Sequence, residues 1–162
     1  MINKGKYQST KTFDNFSVAL RQWKAQHSHC QLLHGYAFKF KVTFESNEED
    51  IDKQLDDMNW IVDFGGFKEA PKGNGLKGWM DAMFDHTTLI EKDDPHKDIF
   101  EQLEQMGICR VHFLDRMGAE SVAKLVSDKF NERLSKTDAG RCRVVKVECF
   151  ENEKNSAIYI CN

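Results

Sequence analysis

The run YAFKFKVTFE, residues 36–45, places the strongest constraint on how this chain can fold. Its even-numbered residues are all apolar, and the residues between them are mostly polar. Because successive side chains of a strand point to opposite faces, this pattern predicts a half-buried antiparallel strand. Phe16, Val18 and Leu20 alternate in the same way earlier in the chain, before a broad loop. The two strands are expected to form a hairpin.

Three segments are predicted to be helices. The first, from Leu76 to Phe84, places its apolar residues on one face, and the second, from about Pro95 to Gly107, is expected to be exposed. The third carries an apolar stripe that includes Val122 and Leu134. Apolar stripes of this kind predict helices that pack on a core.

Further strand-like runs follow the hairpin. The runs CRVVKVECF and SAIYIC, residues 142–150 and 156–161, are separated by a polar turn. Shorter runs, at residues 59–68 and 108–114, are also strand-like. The order predicts an α+β fold in which a sequential, antiparallel, four-stranded sheet is covered on one face by helices, in the order ββααββ.

Composition limits the function classes. A chain of 162 residues with 40% hydrophobic residues is long enough to form one domain, residues 1–162, with its own core. A net charge of −3 without a basic cluster gives no reason to expect a nucleic-acid partner. Without an apolar run of membrane-spanning length or a leader-like start, we expect neither a membrane partner nor export. The five cysteines are odd in number and lack a C-x-x-C spacing, which favours a reduced, cytoplasmic setting.

Four groups of polar side chains could carry chemistry, and each has a simpler structural explanation. Cys30 could be an ordinary buried thiol. Asp63 could form a turn at a strand end, and Asp85 with His86 could end a helix. Glu148 lies in the apolar run VVKVECF, where a buried carboxylate without a partner would be costly. A bound ligand that donates hydrogen bonds to Glu148 is therefore expected.

Taken in chain order, these groups resemble the motifs of the 6-pyruvoyltetrahydropterin synthase and 6-carboxytetrahydropterin synthase (QueD) family. The resemblance extends from about residue 16 to residue 159. The matching segments are Cys30-x-x-x-His34-Gly35, Trp60-x-x-Asp63-Phe64 with Lys68, Asp85-His86 with Leu89, Ala119-Glu120 with Ala123, and Val145-x-x-Glu148 with Tyr159.

The resemblance implies the tunnelling fold and a lyase that acts on 7,8-dihydroneopterin triphosphate. The expected product is 6-carboxy-5,6,7,8-tetrahydropterin, for queuosine or another deazaguanine pathway; a pyruvoyl product is the alternative. Cys30 would be the general base, Asp85 and His86 would assist proton transfer, and Glu148 would hold the pterin edge. The family also implies a homo-oligomer, such as a hexamer, with pockets shared between subunits. The segment around residues 91–114 is extra to the family core and is a candidate lid or oligomer contact.

The family's zinc is held by three histidines, of which this chain keeps His34. Leu20 and Tyr36 occupy the other two positions. We expect a zinc site rebuilt from His34 with His29 and His27 of the preceding loop, because a catalytic zinc takes about three protein ligands. The alternative is that the two loop histidines are solvent-exposed and His34 is a core residue.

Two other functions are open at this stage. A protein that binds a pterin or purine-like ligand without catalysis would need Glu148 but not Cys30, Asp85 and His86. A Cys-His-Asp hydrolase would need a nucleophile motif, and none is present in the sequence.

Overall fold

Six strands and three α-helices make up the described part of the computed structural model, which covers residues 5–68, 73–137 and 140–162. In chain order the elements are β1 (Gln8–Leu20), β2 (His34–Ser46), α1 (Leu76–Phe84), β3 (Thr87–Glu91), α2 (Lys97–Gln105), β4 (Val111–Leu114), α3 (Ala119–Thr137), β5 (Cys142–Phe150) and β6 (Ser156–Ile160). The α+β class expected from the sequence is confirmed.

The strands form one mixed sheet in the order β4-β3-β1-β2-β5-β6. β1, β2, β5 and β6 pair antiparallel, whereas β3 pairs parallel with both β1 and β4. The expected four-stranded, wholly antiparallel sheet was therefore wrong. The extra segment around residues 91–114 joins β3 to β4 through α2, as a parallel pair requires a crossover connection.

The alternating run in β2 was predicted correctly. Phe38, Phe40, Val42 and Phe44 are at most 1% exposed and lie in the main core. Leu20 of β1 belongs to the same core. Because α1 and α3 contribute their buried apolar residues to it, these two helices cover one face of the sheet.

The third helix, α2, covers the opposite face. Leu89 of β3 packs in the main core, but its neighbour Ile90 packs with Phe100 of α2 and Val111 of β4 in a second cluster. Adjacent strand residues point to opposite faces, so these two clusters lie on opposite sides of β3. The expectation that all helices lie on one face was wrong, because β3 is apolar on both faces and needs cover on both.

The helices lie where the sequence predicted them. α2 falls within the expected range and ends before Gly107, whose φ of 73° is the left-handed conformation that favours glycine. The stripe of α3 that includes Val122 and Leu134 is buried. None of the helices in the described ranges is long and apolar enough to cross a membrane.

The predicted strand at residues 59–68 is not formed. The chain turns there, and a short 3₁₀ helix spans Phe64–Phe67. The Asp63 carboxylate caps this helix by accepting a hydrogen bond from the Gly65 N–H at 2.7 Å. The turn-forming explanation of Asp63 therefore holds, and Phe67 still reaches the main core.

Candidate functional site

Cys30 lies in the connection that closes the β1–β2 hairpin. It belongs to a one-turn 3₁₀ helix, His29–Gln31, and its N–H donates to the Ser28 hydroxyl at 3.2 Å. Its carbonyl accepts from the N–H of Gln22 at 2.8 Å. Both the N–H and the carbonyl of the half-buried Cys30 are thus hydrogen-bonded. These bonds hold Cys30 next to the strand ends at Leu20 and His34.

His34 and Tyr36 follow on the same face of β2. The Nδ1 atom of His34 lies 2.7 Å from the Leu32 carbonyl, which can only accept, so Nδ1 carries the proton. The His34 and Tyr36 rings meet at 88° with centroids 5.0 Å apart. The Tyr36 ring also stacks on Phe38, at 13° and 6.1 Å. These contacts fix both rings beside the loop that carries Cys30.

Glu151, which is not among the residues predicted from the sequence, joins these residues. It is partly buried just beyond β5, and burial raises the pKa of its carboxyl; the nearby Glu120 raises this pKa further, and His34 lowers it. Burial, then the charges of Glu151 and Cys30, raise the pKa of Tyr36. We call Cys30, His34, Tyr36, Glu120 and Glu151 the hairpin-end cluster.

Two residues of this cluster, Tyr36 and Glu151, line a surface groove of about 520 Å³ together with Gly35. A cavity of similar size, about 500 Å³, is lined by Tyr7 and Trp60. It lies at the other end of β1, away from Cys30. Of these two cavities, the groove is the one that Tyr36 and Glu151 line, and Cys30 acts on Tyr36.

Glu148 lies elsewhere. It is only partly buried and accepts a hydrogen bond from the Ser156 hydroxyl at 2.7 Å. It pairs with Lys41 across the β2–β5 ladder, and it is adjacent to Cys149, which is 0% exposed in the core. Glu148 is thus neither fully buried nor without a hydrogen-bond partner. The expectation of a bound ligand rested on the cost of burying an unpaired carboxylate, and that cost does not arise here.

Asp85 and His86 lie at the end of α1, next to β1. The Asp85 carboxylate accepts from the Ser17 N–H at 3.2 Å and from His86 Nδ1 at 3.0 Å. The Ser17 hydrogen bond, followed by that of His86, lowers the pKa of Asp85. His86 has a φ of 54°, rare for a residue with a side chain, and its side chain is 80% exposed. The pair is oriented but open to solvent.

The two groups do not meet in one copy of the chain. Among the described residues, the groups that shift the pKa of Asp85 are Ser17, His86 and Arg110, and Cys30 is not one of them. No hydrogen bond or ion pair joins Cys30 to Asp85 or His86 in this part of the chain. The predicted catalytic residues thus form two separate groups.

The residues at the family's zinc positions do not fit a zinc ion. Leu20, paired directly with His34, has no ligand atom, and Tyr36 offers only a neutral hydroxyl. His27 and His29 are exposed in the loop. The described residues contain no group of three or more His, Cys, Asp or Glu side chains that could hold a metal. The predicted site of His34, His29 and His27 is therefore not formed.

Comparisons with known proteins agree with the fold and with the family resemblance. A 6-carboxy-5,6,7,8-tetrahydropterin synthase of Rickettsia typhi is 30% identical over 95 residues, which is 58% of this chain and 59% of that protein. An uncharacterized protein of Wolinella succinogenes has a similar structure, with a TM-score of 0.76 at 22% identity over 97% of this chain and 99% of that one. The 6-pyruvoyl tetrahydropterin synthase of Caenorhabditis elegans superposes over all of both chains with a TM-score of 0.60 at 17% identity.

The two structural similarities show that the chain has the tunnelling fold. The sequence model of the family described as 6-pyruvoyl tetrahydropterin synthase matches residues 9–161, nearly the whole chain. The chain belongs to the 6-pyruvoyl tetrahydropterin synthase family.

Proposed function

We propose that this protein is a lyase that converts 7,8-dihydroneopterin triphosphate to 6-carboxy-5,6,7,8-tetrahydropterin, in the cytoplasm and for a deazaguanine pathway such as queuosine synthesis. The observation that carries the proposal is the proximity of Cys30 to Tyr36, which lines, together with Glu151, a groove of about 520 Å³ that is large enough for a small molecule. The name of the Rickettsia typhi relative supports the carboxy product over the pyruvoyl product.

Cys30 is the proposed general base. As a thiolate it takes a proton from the substrate's side-chain carbon. Asp85 and His86 act together, because the carboxylate of Asp85 accepts from Nδ1 of His86 and so leaves Nε2 free to exchange a proton. The hydrogen bond from Ser17 keeps Asp85 ionised for this role.

Glu151 is the proposed partner of the pterin edge, in place of Glu148. A carboxylate accepts two hydrogen bonds from a guanidine-like edge, and such charge-assisted bonds are strong where water is excluded. Glu151 is partly buried beside Tyr36 and has no hydrogen bond from a side chain in the described residues. Glu148, in contrast, already accepts from Ser156.

Assembly into a homo-oligomer, such as the family's hexamer, would bring the two groups together. β6 ends the sheet, and its Ile158 and Ile160 are 51% and 63% exposed. β1 pairs with β3 only at Val18–Leu20, so the rest of its outer edge has no partner strand in the described residues. Open edges favour pairing with another strand. We propose that β6 of one copy pairs with β1 of the next, so that His86 of one copy meets Cys30 of another.

Product analysis tests the proposal. Purified protein is incubated with 7,8-dihydroneopterin triphosphate, and the pterins are identified by mass spectrometry, with Cys30→Ala as the control. We expect 6-carboxytetrahydropterin from the wild type and none from the variant. Formation of a pyruvoyl product would change the assigned product. Pterin binding without turnover, with or without added zinc, would favour a ligand-binding protein and contradict the lyase.

A further inference from the structure

One face of the β1–β2 hairpin end lacks the ligands for a metal. Leu20 and His34 are register partners, and Tyr36 is two residues further along the same face of β2. The Leu20 side chain is 2% exposed and fills the core. A single imidazole does not hold a catalytic zinc, which takes about three protein ligands. A lyase at this site needs another group to polarise the side-chain oxygen of its substrate.

Tyr36 has the geometry of such a group. Its ring is held between His34, at 5.0 Å and 88°, and Phe38, at 6.1 Å and 13°. Its hydroxyl makes no hydrogen bond to the described residues. Tyr36 lines the groove together with Glu151, and Glu151 and Cys30 are both close enough for their charges to act on its hydroxyl. A fixed ring with an unpaired hydroxyl beside the base is a preorganised hydrogen-bond donor.

We propose that the Tyr36 hydroxyl is a catalytic hydrogen-bond donor that takes the place of the family's zinc, in a reaction that needs no metal. The inference rests on the proposed function. The C–H bond of the side-chain carbon next to the ring breaks and its proton passes to the Cys30 sulfur. The electron pair moves through the ring C=N bond to nitrogen, which takes up a proton relayed by His86. Tyr36 keeps its proton and donates a hydrogen bond to the hydroxyl oxygen on the reacting carbon. This bond draws electron density from that carbon and so makes its C–H bond more acidic.

Kinetics of Tyr36→Phe in the presence of a metal chelator test this role. Phenylalanine keeps the ring contacts with His34 and Phe38 and removes only the hydroxyl. We expect kcat to fall by about 10-fold, as for the loss of one hydrogen bond that assists the reaction, and the dissociation constant for the pterin to change little. The matched control is Tyr159→Phe in β6, whose ring lies 5.6 Å from Lys124 Nζ; its kcat is expected to equal that of the wild type.

The outcomes separate this inference from the proposed function. Three results together support the role of Tyr36: the wild type turns over substrate in the presence of chelator, metal analysis finds no zinc, and turnover falls in Tyr36→Phe. Turnover that requires zinc, or that is unchanged in Tyr36→Phe, overturns the role of Tyr36 and leaves the lyase intact. No turnover under any metal condition overturns the lyase, and the role of Tyr36 with it.

Discussion

Leu20 lies directly opposite His34 in the β1–β2 pair, with its side chain buried in the main core. Tyr36 follows on the same face, and its ring contacts that of His34. The backbone therefore places these three side chains on one face of the hairpin end, but only one of them is a histidine. The loss of metal ligands is a matter of side-chain identity and not of backbone geometry.

Restoring the two missing histidines should restore zinc binding. In Leu20→His with Tyr36→His, three imidazoles share one face of the hairpin end, so we expect about one zinc per chain after purification without chelator. The wild type and the single variant Tyr36→His should bind much less. Metal analysis by mass spectrometry measures the content. A folded double variant that remains free of zinc would show that the hairpin end does not keep the family's geometry.

Glu151 and Glu148 are expected to differ in their effect on pterin binding. Loss of charge-assisted hydrogen bonds worth about 1.5–3 kcal/mol lowers affinity by about 10-fold to 100-fold, which is our expectation for Glu151→Gln. Glu148→Gln, the matched control on the opposite face of β5, should bind almost as the wild type does. Fluorescence titration with a pterin gives both constants. If only Glu148→Gln lowers the affinity for the pterin, Glu148 and not Glu151 holds the pterin edge.

Asp85 should stabilise the folded protein in a pH-dependent way. Its pKa in the folded state lies below the ordinary value of 3.8, because of the Ser17 N–H and then His86. A depressed carboxyl pKa contributes stability above the ordinary value, and this contribution is lost as pH falls through the depressed value. Asp85→Asn should therefore lower the free energy of unfolding at neutral pH and approach the wild type in acid. Urea unfolding of both proteins across pH measures this. A difference that grows on acidification would contradict the assignment.

The exposed side chains of β6 should control assembly. Ile158→Lys with Ile160→Lys changes residues that are already exposed, so the stability of the subunit should change by no more than about 0.5 kcal/mol. We expect the oligomer to dissociate into smaller species in light scattering. The matched control is Ile99→Lys in α2, which is 48% exposed and away from β6. If only the control disperses the oligomer, the extra segment and not the sheet edge forms the contact.

The fold was predictable where one face of a strand is buried. Alternation in β1 and β2 predicted both strands and the faces of Phe38 and Phe40 correctly. The sequence TTLIE of β3 carries no alternation, because α1 and α2 cover opposite sides of it, and the strand was therefore missed. The strand predicted at residues 59–68 failed because the Asp63 carboxylate caps a 3₁₀ helix instead.

The residues of the candidate site were harder to predict from the sequence than the strands and helices. Alternation in β5 could have identified Glu151, because Val147 and Cys149 are both fully buried and Glu151 is the next odd-numbered residue. Glu148 was predicted instead, because its neighbours in the sequence are apolar. The proposed meeting of Cys30 with Asp85 and His86 could not be derived from the sequence, because no contact joins these residues within the described part of one copy and the proposal requires a second copy.

Subunit complementation tests the proposed shared lyase site most directly. Cys30→Ala and His86→Ala are each expected to be inactive with 7,8-dihydroneopterin triphosphate. Coexpression of the two variants with different tags, and isolation of oligomers that carry both tags, yields sites in which an intact Cys30 meets an intact His86. We predict that these mixed oligomers recover a substantial fraction of wild-type turnover. Mixed oligomers that stay as inactive as the single variants would contradict a lyase site completed between copies.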